Sequence, residues 1–153
     1  MLLSCAQAFA LPSFQDIEQS GQLSSLAYGG DDIKSPLMDM GHVLIHQTVL
    51  EGVEVSYFLT VHEGVQFITV RGTANLQNAM VDLDINLKQD ETLGIFVHQG
   101  FANAALGIMK NVTEFLDQSK PVRTTGHSLG GAAAVMLAMY LDKQGYDLGQ
   151  VIT

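Results

Sequence analysis

Residues Gly126, His127, Ser128, Leu129 and Gly130 spell G-x-S-x-G, flanked by a short β-branched run, Val122 to Thr125, and a helix rich in small residues. A strand that must turn into a helix within so few residues leaves no room for side chains at the bend, which is what glycines two positions either side of Ser128 provide. Gly131, Ala132, Ala133 and Ala134 extend the small-residue theme, so the helix is expected to lie close against a sheet. The pattern therefore constrains the fold to an α/β layer with a strand-turn-helix unit at its heart.

A serine hydroxyl is a weak nucleophile at neutral pH and needs exposure, a base and a place for the developing oxyanion. The sharp turn supplies the exposure, and the helix N-terminus aims free N–H groups at the space above Ser128. Ser128 is the candidate nucleophile. The alternative is a glycine-rich strand-helix turn with a buried serine and no chemistry. His127 is not expected to act as the base, because adjacent residues on such a turn point in different directions. No histidine occurs among the 25 residues after Ser128, so the base is expected outside this sequence.

Upstream, the period of the apolar residues changes twice. Ile17, Leu23 and Leu26 predict a first helix over Asp16 to Leu26, and Tyr28 to Met40, broken by Gly29, Gly30 and Pro36, reads as loop. Alternation through Val43 and Ile45, through Val53 to Val61, and through Val65 to Thr69 predicts an antiparallel meander with turns at Glu51-Gly52 and Glu63-Gly64. The stretch Ala74 to Gly94 is polar, with Leu76, Met80, Leu83 and Leu87 at helical spacing, and reads as one short helix or a surface loop. Phe101, Ala105, Ile108, Val112 and Phe115 predict an amphipathic helix ending near Gln118. A strand over Val122 to Thr125, a helix over Leu129 to Lys143 and a strand from Gly149 follow. Such alternation implies parallel pairing through right-handed crossovers.

Bulk properties exclude several classes. The net charge of −9, with only seven basic residues, argues against nucleic acid or an anionic membrane surface as partner. A single cysteine, Cys5, rules out an intrachain disulfide and a cysteine metal cluster. His42 and His46 fall in a strand pattern, where a spacing of four puts them on one side but too far apart to share an ion. Residues 1–12 read either as the remainder of an export signal, with Ala6-Gln7-Ala8 as a small-x-small site, or as an apolar arm. Leu2, Leu3, Ser4 and Cys5 also match a lipoprotein cleavage box weakly. A secreted or periplasmic location is favoured over a cytoplasmic one, and no run reaches membrane-spanning length. Residues 13–153 are expected to form a single unit.

Over residues 50 to 153 the sequence resembles the class 3 lipases, the fungal-type triacylglycerol lipases of α/β-hydrolase fold. Thr125 to Ala132 match the family's nucleophile motif; Val70, Arg71, Gly72 and Thr73 match the strand end bearing its oxyanion residue; Val97, His98, Gly100 and Phe101 resemble its V-H-x-G-F signature. The resemblance implies an α/β-hydrolase-like sheet with an antiparallel N-terminal meander and parallel strand-helix units, truncated before the last strands. It implies Thr73 and Leu129 as oxyanion donors and Asp82 as the carboxylate that orients the Thr73 hydroxyl, with Gly126, His127 and Gly130 supporting the turn. It also implies a serine ester hydrolase acting on esters or lipids without a cofactor, with no nucleic-acid partner and no stable membrane insertion. His98 reads as a hydrogen-bonded scaffold residue. Two departures stand out. Ala79 occupies the segment where the family carries tryptophan, which questions a lid. The family's Asp and His follow the serine in chain order, so both are expected beyond Thr153; Asp142 and Asp147 come too early. The competing reading is a non-catalytic remnant of the same fold, or a lipid- or ester-binding module.

Overall fold

The computed structural model describes residues 11–30, 32–51, 55–72 and 87–153. Its elements run α1 (Phe14–Leu26), α2 (Lys34–Asp39), β1 (Val43–Leu50), β2 (Val55–His62), β3 (Val65–Val70), β4 (Leu87–Gln89), β5 (Phe96–His98), α3 (Gln99–Val112), β6 (Val122–Gly126), α4 (Leu129–Lys143) and β7 (Leu148–Ile152). The main sheet has the order β1-β2-β3-β6-β7, with β4 and β5 forming a separate ribbon. β1, β2 and β3 pair antiparallel and β3, β6 and β7 pair parallel, so the expected meander feeds into parallel strand-helix units. The mixed sheet, antiparallel at one edge and parallel at the other, is the arrangement that the resemblance implies.

Parity divides the sheet into two faces. Tyr57, Leu59, Ile68 and Val70 point to one face, where they join Ala102, Ala105, Ile108 and Val112 of α3 and Ala133, Ala134, Leu137 and Leu141 of α4 in the larger apolar cluster. Phe58 and Phe67 point to the other face and pack with Leu23 of α1 and with Ile33 and Leu37 around α2.

Several expectations are corrected. The loop read over Tyr28 to Met40 contains α2: Pro36 sits in its first turn, where no backbone donor is needed, and Ile33 and Leu37, one turn apart, are buried. The third helix ends at Val112 rather than near Gln118, because Phe115 leaves the helical path to stack on His46, centroids 4.0 Å apart. Ile17, expected inside, is 47% exposed. Leu87, read as part of a helical stripe, lies on β4. The remainder of that stripe, together with Val53 and the turn residue Gly52, lies outside the described residues.

The reading of His42 and His46 is also corrected: His42 precedes β1 and His46 lies within it. A register shift between Leu44 and His46 makes Ile45 the extra residue of a bulge, and parity reverses there. His42 therefore lies on the α1 side, bonded to Gln19 Nε2 and Thr60 Oγ1, whereas His46 lies on the α3 side, bonded to Asn111 Oδ1. They do not share a side. Among the described residues no group of three or more His, Cys, Asp or Glu side chains could hold a metal ion.

Candidate functional site

β6 delivers the chain to the carboxyl end of the sheet through Thr124, Thr125 and Gly126, all buried, and α4 leaves from Leu129. The turn between them is fixed by contact. A β-carbon at Gly126 would lie 2.6 Å from the Gly130 carbonyl oxygen and 2.7 Å from that of Val70. One at Gly130 would run into the Val70 carbonyl and the backbone of Arg71 and Gly72. The first turn of α4 thus rests directly on the ends of β3 and β6, which only glycine permits. Thr124 Oγ1 donates to the Ala134 carbonyl at 3.0 Å and ties the helix to its strand one turn further on.

Ser128 holds φ 58° and ψ −129°, a region L-residues avoid; among the described non-glycine residues only Glu63 shares a positive φ. Strain of this kind costs on the order of 1–3 kcal/mol and persists only where the surroundings enforce it. Here the close approach of Gly126 and Gly130 to β3 enforces it. Ser128 stands at the N-cap of α4, yet its side chain makes no capping bond and is partly exposed. Its carbonyl accepts the Ala132 N–H, and the Gly130 N–H turns back to the His127 carbonyl. The Leu129 N–H belongs to the first turn, where no preceding carbonyl can satisfy it.

His127 is exposed, and its ring turns away from Ser128 toward Tyr28, whose hydroxyl lies 3.3 Å from Nδ1. Thr73 and Asp82, together with Ala79, lie outside the described residues, so the structure speaks only for the Val70-Arg71-Gly72 approach to Thr73. His98 is the N-cap of α3 and accepts the Gly100 N–H at 3.2 Å, a scaffold role as expected. Asp142 lies in the last turn of α4, its carbonyl accepting the Gly145 N–H, and Asp147 follows, its carbonyl accepting the Val122 N–H at the start of β6. Fifteen helical residues separate that end from Ser128, about 20 Å of rise.

A cleft of about 630 Å³ opens beside the turn, lined among others by Ile17, Ser20, Ser24, Tyr28, Thr125 and Ser128. Its α1 wall was not legible in the sequence as part of the site. Serines at positions 20, 24 and 25 and Gly21 had no apolar periodicity to mark them. Ser24 and Thr125 share a hydrogen bond of 3.1 Å, and Thr125 Oγ1 also donates to the Ile152 carbonyl at 2.7 Å, joining α1, β6 and β7 beneath the serine. At the far end of α1, Asp16 bonds Ser13 in a capping box and Arg123 at 2.7 Å; the Ser13 bonds above all, then Arg123, hold its carboxyl down at about 2.

Comparison with known proteins bears on the family and the fold. Residues 67–153 match the family described as Lipase (class 3). A secreted mono- and diacylglycerol lipase of Fusarium solani is 34% identical over 86 residues, 52% of this chain and 26% of that protein. A lipase of Rhizomucor miehei is 36% identical over 83 residues, 49% of this chain and 23% of that protein. Among solved structures, the lipase of Rhizopus microsporus var. chinensis superposes with a TM-score of 0.71 at 21% identity, covering 93% of this chain and 58% of that one. The triacylglyceride lipase of Rhizomucor miehei gives 0.67 at 18% identity, covering 90% and 59%. The chain thus matches about a quarter of the length of its curated relatives and under two thirds of these structures.

Proposed function

Because the chain belongs to the class 3 lipase family, we propose that it contributes the nucleophile and oxyanion donors of a serine hydrolase of carboxylic esters, with acylglycerols as the substrate class. The observation that carries the reading is the backbone of Ser128: a left-handed φ at a helix N-cap, with the side chain spared from capping and the Leu129 N–H beside it. A turn this strained is retained where an exposed hydroxyl is needed. The relatives' descriptions as lipases support the substrate class.

In the proposed reaction Ser128 Oγ attacks the ester carbonyl and its proton passes to a base. The carbonyl oxygen takes the negative charge and is met by the N–H groups of Leu129 and Thr73, with Asp82 orienting the Thr73 hydroxyl. Collapse expels the alcohol, which takes up the proton, and water releases the acid from the acyl-serine by the reverse sequence. His127 is turned toward Tyr28, so the base and its orienting acid are assigned to sequence outside these 153 residues. Residues 13–153 form one unit in this reading, and the apolar segment before them serves export, as the secreted relative supports.

The test is hydrolysis of p-nitrophenyl butyrate by the protein expressed from its complete reading frame. Ser128→Ala is expected to lower kcat by on the order of 10⁶ with the fold intact by circular dichroism. Residues 1–153 alone are expected to turn over negligibly. Robust hydrolysis that survives Ser128→Ala would overturn the proposal, and a complete protein that does not hydrolyse the ester would favour a binding role for the cleft.

A further inference from the structure

α1 turns one face toward the cleft beside Ser128, and that face carries hydroxyls where a helix packed on a sheet ordinarily carries apolar groups. Ile17, Ser20, Ser24 and Tyr28 fall at helical spacing along it, and all four line the cleft together with Ser128 and Ile152. The Ser24 hydroxyl is taken by Thr125 at 3.1 Å, and that of Tyr28 lies 3.3 Å from His127 Nδ1. Ser20 is different. It is only 7% exposed, yet its hydroxyl meets no hydrogen-bond partner among the described residues. The fully enclosed, unpartnered polar side-chain atoms among those residues are Thr69 Oγ1 and Gln150 Oε1. The Ser20 hydroxyl is not one of them, so solvent reaches it, and the space from which it is reached is the cleft.

A nearly buried hydroxyl facing an open cavity constrains what can fill that cavity. An acyl chain or an alkyl alcohol laid against Ser20 would strip its water and offer nothing in return, whereas an alcohol that keeps a free hydroxyl exchanges one hydrogen bond for another. Among the described residues no Asp, Glu, Lys or Arg side chain lines the cleft, so the group it suits is an uncharged alcohol rather than a phosphate or amine headgroup. We propose that Ser20 is a specificity-determining residue that seats the alcohol half of the ester, selecting uncharged alcohols with a free hydroxyl beside the esterified one, as in a partial ester of glycerol. The inference rests on the hydrolase reading above and deepens it, since it names which half of the substrate the α1 side of the site receives.

The experiment measures kcat/KM of the complete protein, wild type and Ser20→Ala, on glycerol monobutyrate and on propyl butyrate, which has the same carbon chain without the two hydroxyls. Urea unfolding runs alongside. Ser20→Ala is expected to lower the ratio of kcat/KM for the glycerol ester over the propyl ester about fivefold, the worth of one neutral hydrogen bond, with the urea midpoint unchanged. A ratio that moves by less than about twofold, in an enzyme that Ser128→Ala silences, overturns the role of Ser20 and leaves the hydrolase reading standing. So does an equal loss on both esters with a lowered midpoint, which marks a packing residue. A second pair, ethyl β-hydroxybutyrate and ethyl butyrate, puts the hydroxyl on the acid instead. If Ser20→Ala moves that ratio and not the first, the cleft holds the acyl half and the proposal is overturned. A wild type that hydrolyses none of the four esters brings down the hydrolase reading and the selection with it.

Discussion

On one face of the sheet α4 approaches β3 and β6 so closely that Gly126 and Gly130 leave no room for a methyl group; on the other, α1 stands off and is held by Ser24 on Thr125, Asp16 on Arg123 and Gln19 on His42. Leu23 is the single apolar side chain of α1 that is fully buried, against a run of buried residues in α4 from Ala133 to Leu141. The α4 face is thus fixed by shape and cannot adjust. The α1 face is fixed by polar bonds, and its stability answers to pH.

The sharpest way to break this contrast is to fill the tight side. Gly130→Ala should cost about 3–5 kcal/mol in urea unfolding, since neither β3 nor the helix backbone can give way, and should abolish esterase activity; a loss below about 1 kcal/mol would mean that the helix can lift off the sheet. On the loose side Leu23→Ala should cost about 2–4 kcal/mol, the price of a cavity under α1 with the α4 face undisturbed. Acid should discriminate the faces next. Burial, with the neighbouring His62 adding to it, pushes His42 from 6.5 down to about 4. The unfolded chain therefore takes up a proton below pH 6.5 that the folded chain refuses until about pH 4, so stability falls through that window, by on the order of 3 kcal/mol. Urea midpoints between pH 7 and 4 measure this, and His42→Gln should flatten the slope. The smallest effect is Asp16→Asn, at most about 1 kcal/mol at neutral pH, because its ion pair with Arg123 is partly solvated. Ser128→Gly sharpens the picture from the other direction: relief of the positive φ should raise stability by about 1 kcal/mol while activity disappears.

The tight face was legible in the sequence because its rule is local. Glycines two residues either side of Ser128 and the small residues after it state the turn and the close helix without reference to anything distant. The antiparallel meander and the parallel strand-helix units followed from alternation and succession, whereas the β4-β5 ribbon did not. The loose face was not legible, because its devices act across the chain. Ser24 finds Thr125 101 residues away, Phe115 abandons its helix to stack on His46, and Tyr28 reaches His127 across 99 residues. Nothing near Tyr28 distinguishes it from the start of a loop. Pro36 concealed α2 for a related reason: a helix of six residues is made by the burial of Ile33 and Leu37, not by its own propensity.

The bulge at Ile45 changes what an amino-acid deletion would mean on the outer strand. In a regular strand the loss of one residue rotates every later side chain to the opposite surface. Here two residues already share one pairing position, so removing Ile45 would leave His46 on Asn111 and Gln47 toward Gly30. What would vanish is the kink. A straightened border carrying Val43 and Val49, 62% and 66% exposed, would then offer an unbroken row of backbone donors and acceptors to a second copy of the chain.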